Sequence, residues 1–151
     1  MLRVQSDSFD PGKELSAFAK GRHDIGAIVS FTGVVRDTDK TLKTMEIEHY
    51  PGMTERAISK IMDEARTRWN LADVLVIHRH GALQPGEVIM MVATASAHRA
   101  AAFEAADFLM DYLKSRAPFW KKEIGANETA WVAAKDEDEA ALDRWTSSPP
   151  D

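Results

Sequence analysis

Apolar and polar positions recur along this chain with two periods, which indicate strands and helices in turn. Positions 44–50 alternate, with Met45, Ile47 and His49 on one predicted face and Glu46 and Glu48 on the other, the pattern of a half-exposed strand. Positions 27–35 are rich in Val, Ile, Phe and Thr and predict a strand, in which Gly33 suggests a bulge or a close backbone approach. Apolar positions three and four apart predict a helix that is capped by Thr54 and ends near Asn70.

The same reasoning over the rest of the chain predicts a mixed α+β fold. Further strands are expected over 2–5, 74–80, 87–95 and 129–134, and short helices after Asp10-Pro11 and over 136–145. Short gaps between several strands favour a mostly antiparallel sheet. No repeat or linker interrupts the chain, so we expect one domain over residues 1–151, with a frayed tail over about 146–151.

A second long helix is predicted between Ser96, its expected N-cap, and Pro118, which ends it. Its apolar face comprises Ala102, Phe103, Ala106, Leu109, Met110 and Leu113. His98 and Arg99 fall in the first turn, where the helix dipole disfavours cations by a few tenths to about 1 kcal/mol, a cost that a bound anion reverses. Lys114 projects beside the apolar face, as a lysine does when it snorkels or sits in a pocket. A solvated lysine that complements the dipole fits the same position.

Composition excludes several classes of function. The chain has 151 residues, no cysteine, and a net charge of −5 from 19 basic and 24 acidic side chains. Without cysteine it has no disulfide, thiolate metal site or cysteine nucleophile. The acidic balance argues against a general nucleic-acid binder, although it leaves room for a local basic pocket. No apolar run approaches the length of a membrane span and the first residues lack a signal-peptide pattern, so we expect a cytoplasmic protein.

The common catalytic and cofactor motifs are missing from the sequence, including GxSxG, the P-loop and GxGxxG. His78 and His80 lie two apart on a predicted strand, but no third ligand follows at a recognisable spacing. Glu46 and Glu48 fit a solvated strand face better than a catalytic carboxylate pair. We therefore expect no metal and no cofactor.

What remains is a set of cations beside unusual backbone. The set consists of Arg36 at a strand end, His98 and Arg99 at a helix start, and Lys114, Arg116, Lys121 and Lys122 around the proline break. Arginine suits bidentate binding of oxyanions, and a partly desolvated lysine can move protons or act as a nucleophile. Lys114 and Lys121 lie roughly 20 Å from His98 and Arg99 for a helix of this length. The fold, or a second subunit, must bring them together.

Several short runs, spread over about residues 25–135, match a known protein family in the same order along the chain. They are Phe31-Thr32-Gly33 with Val35-Arg36, Glu48-His49-Tyr50-Pro51-Gly52-Met53, Ile77-His78-Arg79 with Gly81 and Leu83, Pro85-Gly86-Glu87, Ala97-His98-Arg99 with Ala102-Phe103, and Lys114-Ser115-Arg116-Ala117-Pro118-Phe119-Trp120-Lys121-Lys122-Glu123. Together they resemble the large, catalytic subunit of molybdopterin synthase, the MoaE family.

The resemblance implies an α/β-hammerhead fold and a sulfurtransferase. Such subunits convert cyclic pyranopterin monophosphate (precursor Z) into molybdopterin, a step of molybdenum cofactor biosynthesis, by installing two dithiolene sulfurs. The sulfur arrives as a thiocarboxylate on the C-terminal Gly-Gly of a small ubiquitin-like subunit. The implied assembly is a heterotetramer in which a homodimer of large subunits carries one small subunit at each end. It implies neither a nucleic-acid nor a membrane partner.

The resemblance also assigns residues by their position. It makes Lys114 and Lys121 the catalytic lysines. It assigns substrate binding to Arg36, Val35, His98, Arg99, Lys122, Glu123 and Lys135. Val34 departs from the family pattern because some relatives carry a basic residue there. Lys135 falls where an arginine reaching toward the partner subunit's site is expected, and lysine lacks the bidentate fork.

Two other classes of function fit the same cations. A non-catalytic module that binds a phosphorylated metabolite needs only Arg36, His98 and Arg99. A dimeric scaffold would use its basic residues to dock an acidic partner tail. The binding module predicts that Lys114→Ala and Lys121→Ala weaken binding without abolishing a reaction, and the scaffold predicts no affinity for a small molecule.

Overall fold

The computed structural model describes residues 1–37, 40–126, 128–132 and 136–146. The elements in chain order are β1 (Leu2–Gln5), α1 (Pro11–Ala17), β2 (Ala27–Val34), β3 (Leu42–His49), α2 (Met53–Trp69), β4 (Asp73–Arg79), β5 (Gly81–Leu83), β6 (Val88–Ser96), α3 (Arg99–Ser115), β7 (Phe119–Gly125), β8 (Thr129–Trp131), α4 (Asp136–Ala141) and α5 (Asp143–Thr146). This order of helices and strands confirms the predicted mixed α+β class.

The first sheet has the strand order β1-β4-β6-β2. Its β1–β4 pair is parallel and its other pairs are antiparallel. The central strands β4 and β6 are almost continuously buried, because apolar clusters cover both faces of the sheet. The predicted bulge in β2 is confirmed, since the β2–β6 register shifts between Gly33 and Val34.

The second sheet has the order β5-β3-β7-β8, and all of its pairs are antiparallel. Met45 and Ile47 of β3 are 9% and 1% exposed, so the apolar face predicted for this strand is the buried one. Two strands of this sheet were not predicted. Residues 81–86 lie between two predicted strands, and the first three of them pair with β3 as β5. The stretch after Pro118 was assigned no structure, but it forms β7.

The two long helices pack against the sheets through apolar stripes. Helix α2 ends where it was predicted to end, because Asn70 adopts the left-handed conformation that closes a helix. The predicted face of α3 is wrong at one position: Phe103 is 62% exposed, whereas Ala105 and Phe108 are buried. Helical periodicity finds a stripe, but the neighbouring elements decide where its edges lie.

Both predicted N-caps of the long helices are wrong. Helix α2 has Gly52 as its N-cap, so Thr54 lies inside the first turn. Helix α3 has His98 as its N-cap, and the Ser96 hydroxyl accepts only a long 3.4 Å hydrogen bond from the His98 N–H. By contrast, Asp10 caps α1 as predicted and accepts hydrogen bonds from the N–H groups of the first turn.

The last described residues pack on α2 and α3. The Trp145 indole N–H donates to the Asp111 carboxylate (2.6 Å), and its ring lies 5.6 Å from the Trp69 ring. The helix predicted over 136–145 is present as α4 and α5. The predicted strand over 129–134 is present as β8, and its last two positions lie outside the described residues, as does the tail from 147 onward. In the described ranges, no helix is long and apolar enough to cross a membrane.

Candidate active site

Lys121 lies on the buried face of the second sheet. It is opposite Ile47 in the β3–β7 register, and directly opposed residues point to the same side of a sheet. Burial lowers the pKa of the Lys121 ammonium, the positive charge of Lys114 lowers it further, and Asp138 acts in the opposite direction. Because its pKa is lowered, a larger fraction of the Lys121 amine is unprotonated at neutral pH, and only the unprotonated amine can accept a proton or attack an electrophile.

The end of α3 brings Lys114 to the same place. Lys114 is exposed in the last helical turn, seven positions before Lys121. The chain then reverses through a tight turn in which the Phe119 N–H donates to the Ala117 carbonyl (2.8 Å) across Pro118. The two lysines are therefore close enough for one charge to act on the pKa of the other.

Arg36 lies at the same end of the molecule. The end of β2 pairs with the start of β6, because the two strands are antiparallel. Helix α3 follows β6 and packs back along both strands, so its last turn lies near the end of β2. Arg36 is exposed, whereas Val35 is 2% exposed. The Val35 N–H donates to the Glu87 carbonyl (2.9 Å), and its carbonyl accepts from the Gly86 N–H (2.9 Å). These two hydrogen bonds of the Val35 backbone fix the chain immediately before Arg36.

His98 and Arg99 are not brought together with the lysines. They lie exposed at the first turn of α3, and Lys114 lies sixteen positions after His98, which corresponds to about 24 Å along the helix. The cations at the start of α3 and the lysines at its end therefore do not form one small pocket within a single chain.

The neighbours of Lys121 on β7 point to different sides. Lys122 faces outward opposite Glu46, and its ammonium lies 5.5 Å from the centre of the Trp131 ring, within range of a cation–π interaction. Glu123 shares the sheet face of Lys121 by alternation but is exposed. Lys135 lies outside the described residues.

Three features of the site were missed in the sequence. The Phe119 ring stacks on the buried His78 imidazole, with centroids 3.8 Å apart and planes inclined by 16°. The Thr54 hydroxyl donates to the Pro118 carbonyl (3.0 Å). Helix α4 docks beside the lysines through a hydrogen bond from the Ser115 hydroxyl to the Asp138 carbonyl (2.9 Å). Only the third had a visible signal, the acidic run that begins α4.

Three histidines lie near the first residue of β7, since His78 stacks on Phe119, His49 pairs with Phe119 and His80 contacts His49. The His78 Nδ1 is 2.8 Å from the Arg79 carbonyl, and burial lowers the His78 pKa to about 3, so this ring is neutral at ordinary pH. The rings of His49 and His80 lie 4.1 Å apart. Within the described ranges, no group of three or more His, Cys, Asp or Glu side chains is arranged to hold a metal ion.

Comparisons with known proteins give one consistent result. The family model described as MoaE protein matches residues 4–116. The chain is 67% identical over 142 residues to the molybdopterin synthase catalytic subunit of Cereibacter sphaeroides, which covers 94% of this chain and 97% of that protein. The solved molybdopterin biosynthesis MoaE protein of Burkholderia ambifaria is similar, with a TM-score of 0.84, 47% identity, and coverage of 98% and 99% of the two chains. Molybdopterin synthase from Staphylococcus aureus has a TM-score of 0.79 at 28% identity, covering 87% of this chain and 96% of its own.

Proposed function

Because this chain belongs to the MoaE protein family, we propose that it is the catalytic subunit of a molybdopterin synthase, an enzyme of molybdenum cofactor biosynthesis. In this proposal it converts cyclic pyranopterin monophosphate into molybdopterin by sulfur transfer. The observation that carries the proposal is the pairing of Lys114 with Lys121, whose pKa is lowered by burial and by its neighbour. A module that only binds an anion has no need of such an amine.

The sulfur comes from outside the chain. With no cysteine, this protein cannot carry a persulfide of its own. The proposed donor is the thiocarboxylate at the C-terminal Gly-Gly of a small ubiquitin-like subunit, and the name "catalytic subunit" of the relatives supports a second kind of subunit. The thiocarboxylate sulfur forms a bond to a substrate carbon as a carbon–oxygen bond at that carbon breaks, and the displaced oxygen leaves as hydroxide or as a phosphate oxygen and takes up a proton. Water then hydrolyses the acyl–sulfur bond, so the sulfur stays on the substrate and the small subunit leaves as a carboxylate. Two such rounds supply the two dithiolene sulfurs.

The two lysines have different environments, which suggests different roles. Lys114 is exposed at the end of α3 and is the better placed to meet an incoming donor tail. Lys121 is half-buried, and its lowered pKa suits proton transfer, while its protonated form can stabilise negative charge that develops on the substrate. Both are proposed as catalytic residues.

The substrate's phosphate and pterin need further cations. Arg36, held in place by Val35, lies at the lysine end and offers a bidentate donor for an oxyanion. His98 and Arg99 lie about 24 Å away along α3 within the same chain. We therefore assign them to the pocket of a second copy, so that the homodimer at the centre of the heterotetramer supplies each site from both chains.

The remaining predicted residues take supporting roles. Glu123 shares the face of Lys121 and borders the pocket, whereas Lys122 lies on the outer face, opposite Glu46 in the register and near the Trp131 ring. The role of Lys135 toward the partner subunit stays a prediction. A cytoplasmic location is part of the same proposal and rests on kinship with these catalytic subunits.

A single-turnover reaction tests the proposal. The purified chain is mixed with cyclic pyranopterin monophosphate and the thiocarboxylated small subunit, and dithiolene product is detected after oxidation to its fluorescent derivative. The matched control is the same small subunit with an ordinary C-terminal carboxylate. Product with the first donor alone supports the enzyme. Substrate binding without product favours the phosphometabolite module, and a complex with the small subunit but no substrate affinity favours the scaffold.

A further inference from the structure

We propose that Thr54 is a positioning residue for this reaction. Its buried hydroxyl donates a hydrogen bond to the Pro118 carbonyl and so fixes the start of β7. The start of β7 in turn determines the position of Lys121 relative to Lys114. This inference rests on the proposed function, because it concerns the placement of the proposed catalytic lysines. The hydrogen bonds of Thr54 go to Tyr50 and Pro118, so it acts through the backbone that connects the two lysines.

Both hydrogen-bonding capacities of the Thr54 hydroxyl are used. The side chain is fully buried, its hydroxyl donates to the Pro118 carbonyl (3.0 Å), and the same oxygen accepts from the Tyr50 N–H (3.1 Å). The Thr54 N–H in turn donates to the Tyr50 carbonyl (2.9 Å). One side chain thus joins the turn before α2 to a carbonyl 64 residues later in the chain.

Pro118 is the residue at which such an anchor has most effect. It lies between the last residues of α3 and the first β3–β7 pair, which joins His49 to Phe119. Proline has no N–H, so its carbonyl is the only backbone polar group through which it can be held. Lys114 lies four positions before this point and Lys121 three positions after it. A shift at Pro118 therefore changes the relation between the two ammonium groups directly.

The same turn also contacts the next residues of β7. The Tyr50 ring meets the Trp120 ring edge-on, with centroids 4.5 Å apart at 90°. On the other face of the strand, the His78 ring stacks on Phe119. These ring contacts fix the direction of the strand, but ring packing permits sliding that a hydrogen bond to a defined carbonyl does not.

The hydroxyl can be separated from the shape of the side chain. Thr54→Val keeps the shape but leaves the Tyr50 N–H and the Pro118 carbonyl without their partner, whereas Thr54→Ser keeps both hydrogen bonds. Thr67→Val is the matched control, because the Thr67 hydroxyl lies on the same helix, is exposed, and bonds only the Asp63 carbonyl (3.1 Å) of that helix.

Two readouts test the proposal. The first is the single-turnover rate with the thiocarboxylated small subunit. The second is the titration of Lys121, followed by NMR of the chain with ¹³C-methylated lysines and assigned with Lys121→Arg. The charges that act on Lys121 come from Lys114 on α3 and Asp138 on α4, and His78 on β4 lies within range of its charge. All of these groups are unchanged in the Thr54 variants.

We expect Thr54→Val to lose on the order of 10- to 100-fold in single-turnover rate while still binding the small subunit, because a misplacement of about 1 Å can have that effect. In this variant the pKa of Lys121 should rise toward the ordinary range for lysine. Thr54→Ser and Thr67→Val should stay within about threefold of the wild type in rate, with an unchanged titration.

The proposal is overturned if Thr54→Val keeps both the rate and the Lys121 titration of the wild type, or if Thr54→Ser falls as far as Thr54→Val. If Thr54→Val does not fold, Thr54→Ala replaces it and is judged by the same two readouts. The titration needs no turnover, so it stays informative even if the wild-type chain makes no product, which is the result that would contradict the proposed function instead.

Discussion

Lys121 lies directly opposite Ile47 in the β3–β7 ladder, so an ammonium-bearing side chain shares a sheet face with a residue that is only 1% exposed. A charged group in such a place lowers stability unless it loses its proton or finds a partner. Placing Lys121 here lowers the stability of the fold and makes its amine chemically more active, a combination that is common where a side chain takes part in catalysis.

The first prediction is that Lys121→Met raises stability while it abolishes activity. Folding lowers the pKa of Lys121, so the folded state disfavours the proton that the unfolded state keeps. The resulting loss of stability is complete below the folded pKa and disappears as the pH rises toward the unfolded value of 10.5. We expect a melting temperature a few degrees above that of the wild type at pH 7, with the gain shrinking at alkaline pH.

Lys60→Met is the control for this experiment, because Lys60 is exposed on α2. Thermal unfolding of both variants across pH 6–10 is the measurement. A Lys121→Met variant that is less stable than Lys60→Met at pH 7 would contradict the account of Lys121 as a destabilised cation.

The second prediction concerns the two charges around Lys121, which should move its pKa in opposite directions. Removing Lys114 (Lys114→Ala) takes away a positive charge, so the pKa of Lys121 should rise. Removing the Asp138 charge (Asp138→Asn) should lower the pKa of Lys121 further, because that carboxylate favours the ammonium form. NMR titration of the methylated lysines measures both shifts.

Glu137→Gln controls for the general loss of acid on α4, since Glu137 is exposed and does not act on Lys121 in the structure. It should leave the titration unchanged. Shifts of the same sign in Lys114→Ala and Asp138→Asn would show that these two groups do not set the electrostatics of Lys121.

The third prediction is that His78 makes the protein sensitive to acid. Its pKa falls from 6.5 to about 3 on folding, so between these values only the unfolded state takes up the proton. Stability from this group is therefore complete above pH 6.5 and is lost as the pH falls toward 3. His78→Gln should flatten the pH dependence of the free energy of unfolding over this range by up to about 1.4 kcal/mol per pH unit.

Urea unfolding at several pH values between 4 and 7 measures this effect. His23→Gln serves as its control, because His23 is exposed on the surface. An equal change of slope in the two variants would mean that burial of His78 contributes nothing specific.

The fourth prediction is complementation between two inactive chains. If each site takes Lys121 from one copy and Arg99 from the other, a heterodimer of Lys121→Ala and Arg99→Ala contains one fully intact site and one doubly defective site. We expect such a heterodimer, isolated with two different affinity tags, to recover about half of the wild-type rate per dimer. Each homodimer should be inactive. A pure heterodimer without activity would place the two residues in the same single-chain site.

Periodicity predicted the elements well where local chemistry and tertiary packing agree. Asn70 ends α2 and Gly33 lies at the bulge in β2. Both outcomes follow from the backbone conformations that asparagine and glycine tolerate, which can be inferred from the residue type alone. The face of α3 was less predictable: Phe103 follows the helical period, yet no described element covers it. The cations of the site were identifiable as unusual, and helix length alone separated His98 from Lys114. The burial of Lys121 and the position of Arg36 at the lysine end needed the fold.

Strand β7 was missed for a functional reason. An ordinary half-buried strand alternates apolar and polar residues, but here the buried face carries Phe119 and then Lys121. The charge that breaks the pattern is the proposed catalytic group, and local rules are most often broken at such sites. The Thr54 hydrogen bond was invisible for a different reason, because its partner Pro118 lies 64 residues away and no local pattern encodes that distance.

The most direct test of the central claim is the single-turnover rate constant of four chains measured side by side: wild type, Lys114→Ala, Lys121→Ala and the surface control Lys60→Ala. Each is mixed in excess with the thiocarboxylated small subunit and cyclic pyranopterin monophosphate, after complex formation with the small subunit has been verified. The account predicts losses of about 10²- to 10⁴-fold in both site variants, the range for loss of a group that moves protons or stabilises charge in the transition state, and no loss in Lys60→Ala. Wild-type rates in both Lys114→Ala and Lys121→Ala would contradict it.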